Sequence, residues 1–153
     1  MIIRKATEKD ATKISKLILN TLDKVNSKHY AKRQLIIEKK NHTIIKIKRE
    51  LKNKIFFVLI DNKEIVGVVQ LDLKESAIDR LFLNPKYLKK GFGIKLMSHV
   101  ENYAIKRGIR KIMLYPTDYA LNFYKKIGYK VIREFIGTRN GGYPIIEMQK
   151  KLK

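Results

Sequence analysis

The first chemistry the residues suggest is anion binding. Residues 88–93 read Leu88-Lys89-Lys90-Gly91-Phe92-Gly93, between an apolar run that stops at Asn84-Pro85 and an amphipathic pattern that opens at Ile94. That order is strand, loop, helix. Backbone N–H groups at a helix start have no intrahelical carbonyl, and the helix dipole adds partial positive charge, so a phosphate is stabilised there. Gly91 and Gly93 carry no Cβ and let the backbone approach a ligand. Lys89, Lys90 and Lys95 either add screening charge or form a solvated helix face. A second cluster is acidic: Asp72, Glu75 and Asp79 are three acids within eight residues of an otherwise basic chain. They suit proton acceptance or the attraction of a cation, against the plain alternative of surface acids in a turn.

Other chemistries fall away. There are no cysteines, which removes disulfides, thiolate catalysis and Cys-bearing zinc sites. His29, His42 and His99 lack metal-ligand spacing and read as structural or surface residues, so no metal site is expected. No G-x-x-x-x-G-K-[ST] run occurs, and Gly91-x-Gly93 lacks the third glycine of a dinucleotide fingerprint.

The elements that must position these residues follow from periodicity. Ile2 and Ile3 open a short strand ending near Ala6. Thr7-Glu8-Lys9-Asp10 has the form of a capping box. Ala11, Ile14, Leu17, Ile18, Leu22 and Val25 then recur at helical spacing. Residues 26–54 are less regular and suggest one or two further helices. Ile55–Ile60 and Ile65–Leu73 form a hairpin about Asp61–Glu64, and Ala77–Leu83 is the next strand. Ile94, Met97, Val100 and Ala104 mark the buried stripe of a helix ended by Gly108. Lys111–Tyr115 is a strand, Tyr119–Ile127 a short helix with Gly128 as its cap, and Val131–Phe135 and Ile145–Met148 are the final strands around the loop Gly137–Tyr143. The fold class is α/β of the mixed α+β kind, a mixed sheet covered by helices.

At 153 residues, 44% hydrophobic and 32% charged, the chain reads as one globular domain over 1–153. Lys and Arg number 35 against 14 acids, a net charge of +21. Such an excess favours anionic partners, or reflects a compositional habit spread along the chain. A basic nucleic-acid-binding module, with Tyr30, Tyr87 and Tyr115 stacking bases, is the alternative of a different class. The basic residues do not cluster as that module requires, and no RNA-binding motif is present, so nucleic acid is not the expected partner. The N-terminus lacks a signal-peptide h-region and no apolar stretch reaches membrane-spanning length, so a cytoplasmic location without membrane contact is expected. A homodimer is left open.

Residues 88–93 resemble motif A of the Gcn5-related N-acetyltransferase (GNAT) superfamily, Gln/Arg-x-x-Gly-x-Gly/Ala between a strand and a helix, with Leu88 standing where the family has Gln or Arg. Asn84-Pro85-Lys86-Tyr87 is similar to the family's approach to that loop. Downstream, Ala120-Leu121-Asn122-Phe123-Tyr124-Lys125-Lys126-Ile127-Gly128-Tyr129 resembles the more specific Ala-x-x-Phe-Tyr-x-x-x-Gly-Phe/Tyr segment. Thr117 occupies the place of a cofactor-binding Asn, and Ile146–Lys150 is similar to the last strand. The resemblance runs over residues 2–150 and implies a GNAT-like fold with a central, mostly antiparallel sheet.

It also implies an N-acetyltransferase that passes the acetyl group of acetyl-CoA to an amine by direct attack through a tetrahedral intermediate. The loop Leu88–Gly93, with Ile94, would hold the pyrophosphate. Leu81, Phe82 and Leu83 lie on the strand that pairs with the pantetheine arm, and the Leu83 N–H would face the thioester carbonyl. Tyr124 matches the family's acid position, and a phenol of pKa about 10 can protonate a thiolate whose parent pKa is about 8.5 when geometry helps. Asp79 or Glu75 would accept the amine proton, directly or through water. A member that binds coenzyme A without catalysis is the third reading. Residues 26–54 and the loop Gly137–Tyr143 would wall the acceptor site, but the acceptor, a small molecule or a peptide, has no signature.

Overall fold

In a computed structural model of the chain, residues 1–138 and 141–153 are described. The apolar runs pair into one seven-stranded sheet of order β1-β2-β3-β4-β5-β7-β6. Its strands are β1 (Ile2–Lys5), β2 (Ile55–Asp61), β3 (Glu64–Asp72), β4 (Ala77–Leu83), β5 (Lys111–Leu114), β6 (Lys130–Ile136) and β7 (Pro144–Lys151). The helices are α1 (Ala11–Lys24), α2 (Lys32–Lys40), α3 (Ile44–Leu51), α4 (Phe92–Lys106) and α5 (Leu121–Lys126). All neighbouring strands are antiparallel except β4 and β5.

Local chemistry sets the corners. The Thr7–Asp10 capping box forms: the Asp10 carboxylate accepts the Thr7 N–H at 2.8 Å, and both its oxygens accept from Arg4, at 2.8 and 2.9 Å. The β2–β3 hairpin turns through Asn62 and Lys63, both left-handed at φ 47° and 65°, the conformation of a tight type I′ turn.

Helices cover both faces of the sheet, which is why β2 and β3 read as nearly continuous apolar runs rather than as alternation. On one face Ile14, Ile18 and Leu22 of α1 and Ile47 of α3 pack on Phe56, Val58 and Val68. On the other, Leu96, Met97, Val100 and Ala104 of α4 pack on Phe57, Leu59, Val69 and Leu71. The expected α4 stripe is corrected at one position. Ile94 is exposed, because the buried line runs through Gly93, Leu96, Met97, Val100 and Ala104, and one residue's rotation carries position 94 off it. The irregular region 26–54 contains two helices of little burial: α2 buries no residue and α3 only Ile47. Among the described residues, no helix is long and apolar enough to cross a membrane.

Candidate functional site

The sheet opens where its parallel pair begins. β4 and β5 meet at one register point, Ala77 opposite Met113, supported by the Met113 N–H donating to the Ser76 carbonyl at 3.0 Å. Beyond it β4 keeps β3 on one side and has no strand partner on the other. A bulge then bends β4. The register passes from Val68–Phe82 to Gln70–Asp79, so Arg80 and Leu81 together oppose Val69, and Arg80 adopts a left-handed φ of 43°. For a residue with a Cβ that conformation costs about 1–2 kcal/mol.

The Arg80 side chain offsets the cost. Its guanidinium binds Glu50 of α3 and Gln70 of β3, donates to the Asn41 carbonyl at 2.9 Å and, through Nε, to His42 Nδ1 at 3.0 Å. The bulge is thereby tied to the α2–α3 connection. Because Nδ1 of His42 accepts, the neutral ring carries its proton on Nε2, which lies 3.6 Å from a Glu38 carboxylate oxygen. Burial, ahead of the opposing pull of Glu38, holds the His42 pKa below the usual imidazole range.

Between the splayed strands lies a cleft of about 1130 Å³. Of the residues given a catalytic or cofactor role in the sequence, Asp79, Leu81, Phe82, Thr117 and Tyr124 line it. Tyr124 is buried beside the Phe123 and Tyr129 rings, at centroid distances of 5.0 and 5.8 Å. Burial first, and the Tyr119 phenol second, raise its pKa well above the ordinary phenol range, so it stays protonated. Thr117 precedes the turn 118–120 without capping it by its side chain. The Asp79 carboxyl is raised by burial against the pull of Lys54 and Arg80; Lys54 Nζ stands 3.8 Å from it and 3.4 Å from Asp72.

The other acids are placed differently. Asp72 accepts the N–H groups of Lys74 and Glu75 at 3.0 and 3.1 Å and so builds the β3–β4 turn. Glu75 is exposed in that turn and does not line the cleft. Leu83 is buried, with its carbonyl accepting from the Thr21 hydroxyl at 2.9 Å.

The glycine loop adjoins the far end of β4 and does not line the cleft. Asn84 Oδ1 accepts the Lys86 N–H at 3.0 Å, and the Tyr87 hydroxyl donates to Asp61 at 2.7 Å, fixing the approach. Gly91 caps α4 at φ 82°, with nothing within 4 Å of where a Cβ would stand. Conformation rather than space demands this glycine, and Lys89 is left-handed too, at φ 56°. Gly93 has another reason. A Cβ there would meet the Phe123 ring at 3.2 Å and Leu83 at 3.6 Å, so its lack of side chain brings α4 against α5 and β4 rather than against a ligand. Leu88 and Phe92 pack on the α4-side core, whereas Lys89, Lys90, Gly91 and Ile94 are exposed around the helix start.

The opposite wall comes from the stretch 26–54 expected to border the acceptor, though no signature there singles out its individual residues. Asn26, Tyr30, Gln34, Glu38 and His42, from the end of α1 through α2, line the cleft, and so does Arg80. No spacing marks them, since their common feature is one wall made by two short helices and a bulge. Gly137, Thr138 and Tyr143 of the β6–β7 loop join it, while Arg139 and Asn140 of that loop lie outside the described residues. Among the described residues, no group of three or more His, Cys, Asp or Glu could hold a metal ion.

Comparison with known proteins places this geometry in a family. The model of the acetyltransferase (GNAT) domain matches residues 26–152. The chain is 30% identical over 105 residues to the Xenopus tropicalis protein named Probable N-acetyltransferase 14, covering 64% of this chain and 50% of that one. It spans about half the length of the curated relatives it matches. The fold superposes with TM-score 0.90 on a GCN5-related N-acetyltransferase of Rhodopseudomonas palustris, at 20% identity over 99% of this chain and 95% of the other. It superposes with TM-score 0.82 on the PaiA N-acetyltransferase of Thermoplasma acidophilum, crystallised with coenzyme A, at 20% identity over 99% of both chains. With its splayed β4–β5 pair, its glycine-capped α4 and a family match across most of its length, this chain belongs to the GNAT acetyltransferase family.

Proposed function

We propose that the chain is an acetyl-CoA-dependent N-acetyltransferase acting on a primary amine. The observation that carries the reading is the splay: β4 offers an unpaired backbone edge along a cleft, and its end adjoins the N-terminus of α4. Those features fit the parts of acetyl-CoA. The N–H groups at the start of α4, freed of side-chain crowding at Gly91 and surrounded by Lys89, Lys90 and Lys95, suit its pyrophosphate. The β4 edge at Leu81, Phe82 and Leu83 suits its amide-bearing arm, and Thr117 offers a hydroxyl across the cleft. When bound, the thioester supplies an activated acetyl group and a thiolate leaving group.

The chain's own residues then do three things. The Leu83 contribution is confined to its backbone, since its side chain is core. Tyr124, kept neutral by burial, holds a proton for the departing sulfur. Asp79 accepts the amine proton; its raised pKa makes it a better base than an ordinary carboxylate. Glu75, exposed and outside the cleft, is left without that role. Direct attack needs no covalent enzyme intermediate, only an amine and carbonyl held in line.

Two measurements test the reading. Acetyl-CoA well above a micromolar affinity is expected to raise the melting temperature by several degrees, and free thiol is expected to appear on adding an amine panel. An unmoved melting temperature would overturn the cofactor reading. Binding without thiol release from any amine would leave a coenzyme A-binding protein in place of an enzyme.

A further inference from the structure

The cleft has a charge opposite to the molecule's. The chain carries +21, yet Arg80 is the one Lys or Arg among the described residues that line the cleft. Its guanidinium is spent on Glu50, Gln70, Asn41 and His42. Three carboxylates, Glu38, Asp79 and Asp118, face the same space. Glu38 stands 3.6 Å from the Nε2 of His42, and His42, neutral because Arg80 occupies its other nitrogen and burial disfavours its charge, leaves the charge of that carboxylate uncancelled.

An independent observation lies on the same wall. Asn26 is 3% exposed and lines the cleft, and its Oδ1 has no hydrogen-bond partner. Tyr30 and Glu38 line the same wall of the cleft, so Asn26, Tyr30 and Glu38 face one space. A buried carbonyl oxygen left without a donor is destabilising. What satisfies it must bring N–H or O–H groups, and beside a carboxylate and an aromatic face the matching chemistry is an ammonium.

We propose that the acceptor is a small amine carrying a second, cationic nitrogen, and that Glu38 and the Asn26 carbonyl hold that second ammonium while the first, neutral amine is acetylated. The inference rests on the acetyltransferase reading above and names its substrate class. His42 is a positioning residue, set by Arg80. The net positive charge of the chain argues against such a substrate only as a distant field, whereas contact-range carboxylates in a recessed cleft outweigh it.

The test uses matched four-carbon probes: 1,4-diaminobutane, n-butylamine and 4-aminobutanoate, titrated calorimetrically into the full chain saturated with coenzyme A. The diamine is expected to bind about tenfold more tightly than the monoamine, and the aminobutanoate more weakly than either. Glu38→Gln is expected to erase the diamine advantage over n-butylamine; Asn26→Leu is expected to reduce it; His42→Gln, which keeps a donor, is expected to retain most of it. In acetyl transfer the loss appears in KM for the diamine, with kcat retained. Equal affinities for diamine and monoamine, or a preference that survives both Glu38→Gln and Asn26→Leu in folded protein, would overturn the proposal. Failure of coenzyme A to bind would instead strike the acetyltransferase reading, and the same diamine titration on the free protein would still read the subsite.

Discussion

A single phenol and a single carboxyl illustrate how environment sets the work a side chain does. Tyr124 is raised by burial, so at neutral pH it is a donor and never a phenolate. Tyr124→Phe is therefore expected to lower kcat about 100-fold while the affinity for acetyl-CoA stays within twofold, because only the proton transfer is lost. An unchanged turnover in a coupled thiol assay would remove Tyr124 from the chemistry. Asp10 shows the opposite shift. The Arg4 hydrogen bond, ahead of the Thr7 N–H and against burial, holds its carboxyl below the ordinary 3.8. A depressed acid contributes stability that is full above the ordinary value and is lost as pH falls through the folded one. Asp10→Asn is expected to cost about 1 kcal/mol at pH 6. Its melting temperature should converge on that of the parent protein near pH 2, which a pH series of thermal melts would check.

At the scale of elements, the β4 bulge is the joint between scaffold and site. Arg80 holds a left-handed backbone there and spends its side chain on α3, β3 and the α2–α3 connection, so one residue sets both the bend of β4 and the place of His42. Arg80→Leu would leave Glu50 and Gln70 without their cation and put a branched side chain at φ 43°. A loss of about 3 kcal/mol is expected, or about 10 °C in melting temperature for a domain this size. It is expected together with a raised KM for the amine as His42 and Glu38 lose their anchor. A melt unchanged within 2 °C would mean that the bulge is set by packing alone.

For the whole molecule, the field is positive and the cleft is not. The +21 charge attracts an anionic co-substrate from a distance at low salt, and screening removes that attraction beyond about 10 Å at moderate salt. The association rate of acetyl-CoA is expected to fall about tenfold between low and half-molar salt. The dissociation rate, which the proposed binding mode assigns to contacts at the α4 start and along β4, should change much less. Stopped-flow binding across a salt series would show this, and equal salt dependence of both rates would place the charge effect in the contacts themselves.

Much of this protein was legible in its sequence, for reasons that are local. Ala77–Leu83 is a strand because its apolar run is bounded by turn residues, and α4 starts at the Gly-x-Gly because a left-handed cap needs Gly91. The Thr7–Asp10 box announces α1 by side-chain geometry within four residues. Tyr124 and Asp79 share the cleft only because the order of elements folds them onto the two sides of one splay. Contacts between distant segments were not legible. Gly93 is small to admit Phe123, thirty residues on, which no local pattern records. Ile94 left the buried stripe because the first residue of α4, not the hydrophobic pattern alone, sets the phase of the helix. The wall opposite β4 was legible only as the region 26–54, and which of its side chains face the cleft is decided by tertiary structure. Asn26 and His42 flank the short, weakly amphipathic α2 that carries Glu38, and an arginine 38 residues away in sequence gives His42 its orientation. The sign of the cleft's charge is likewise set by which few side chains the fold turns inward, a selection that composition averages away.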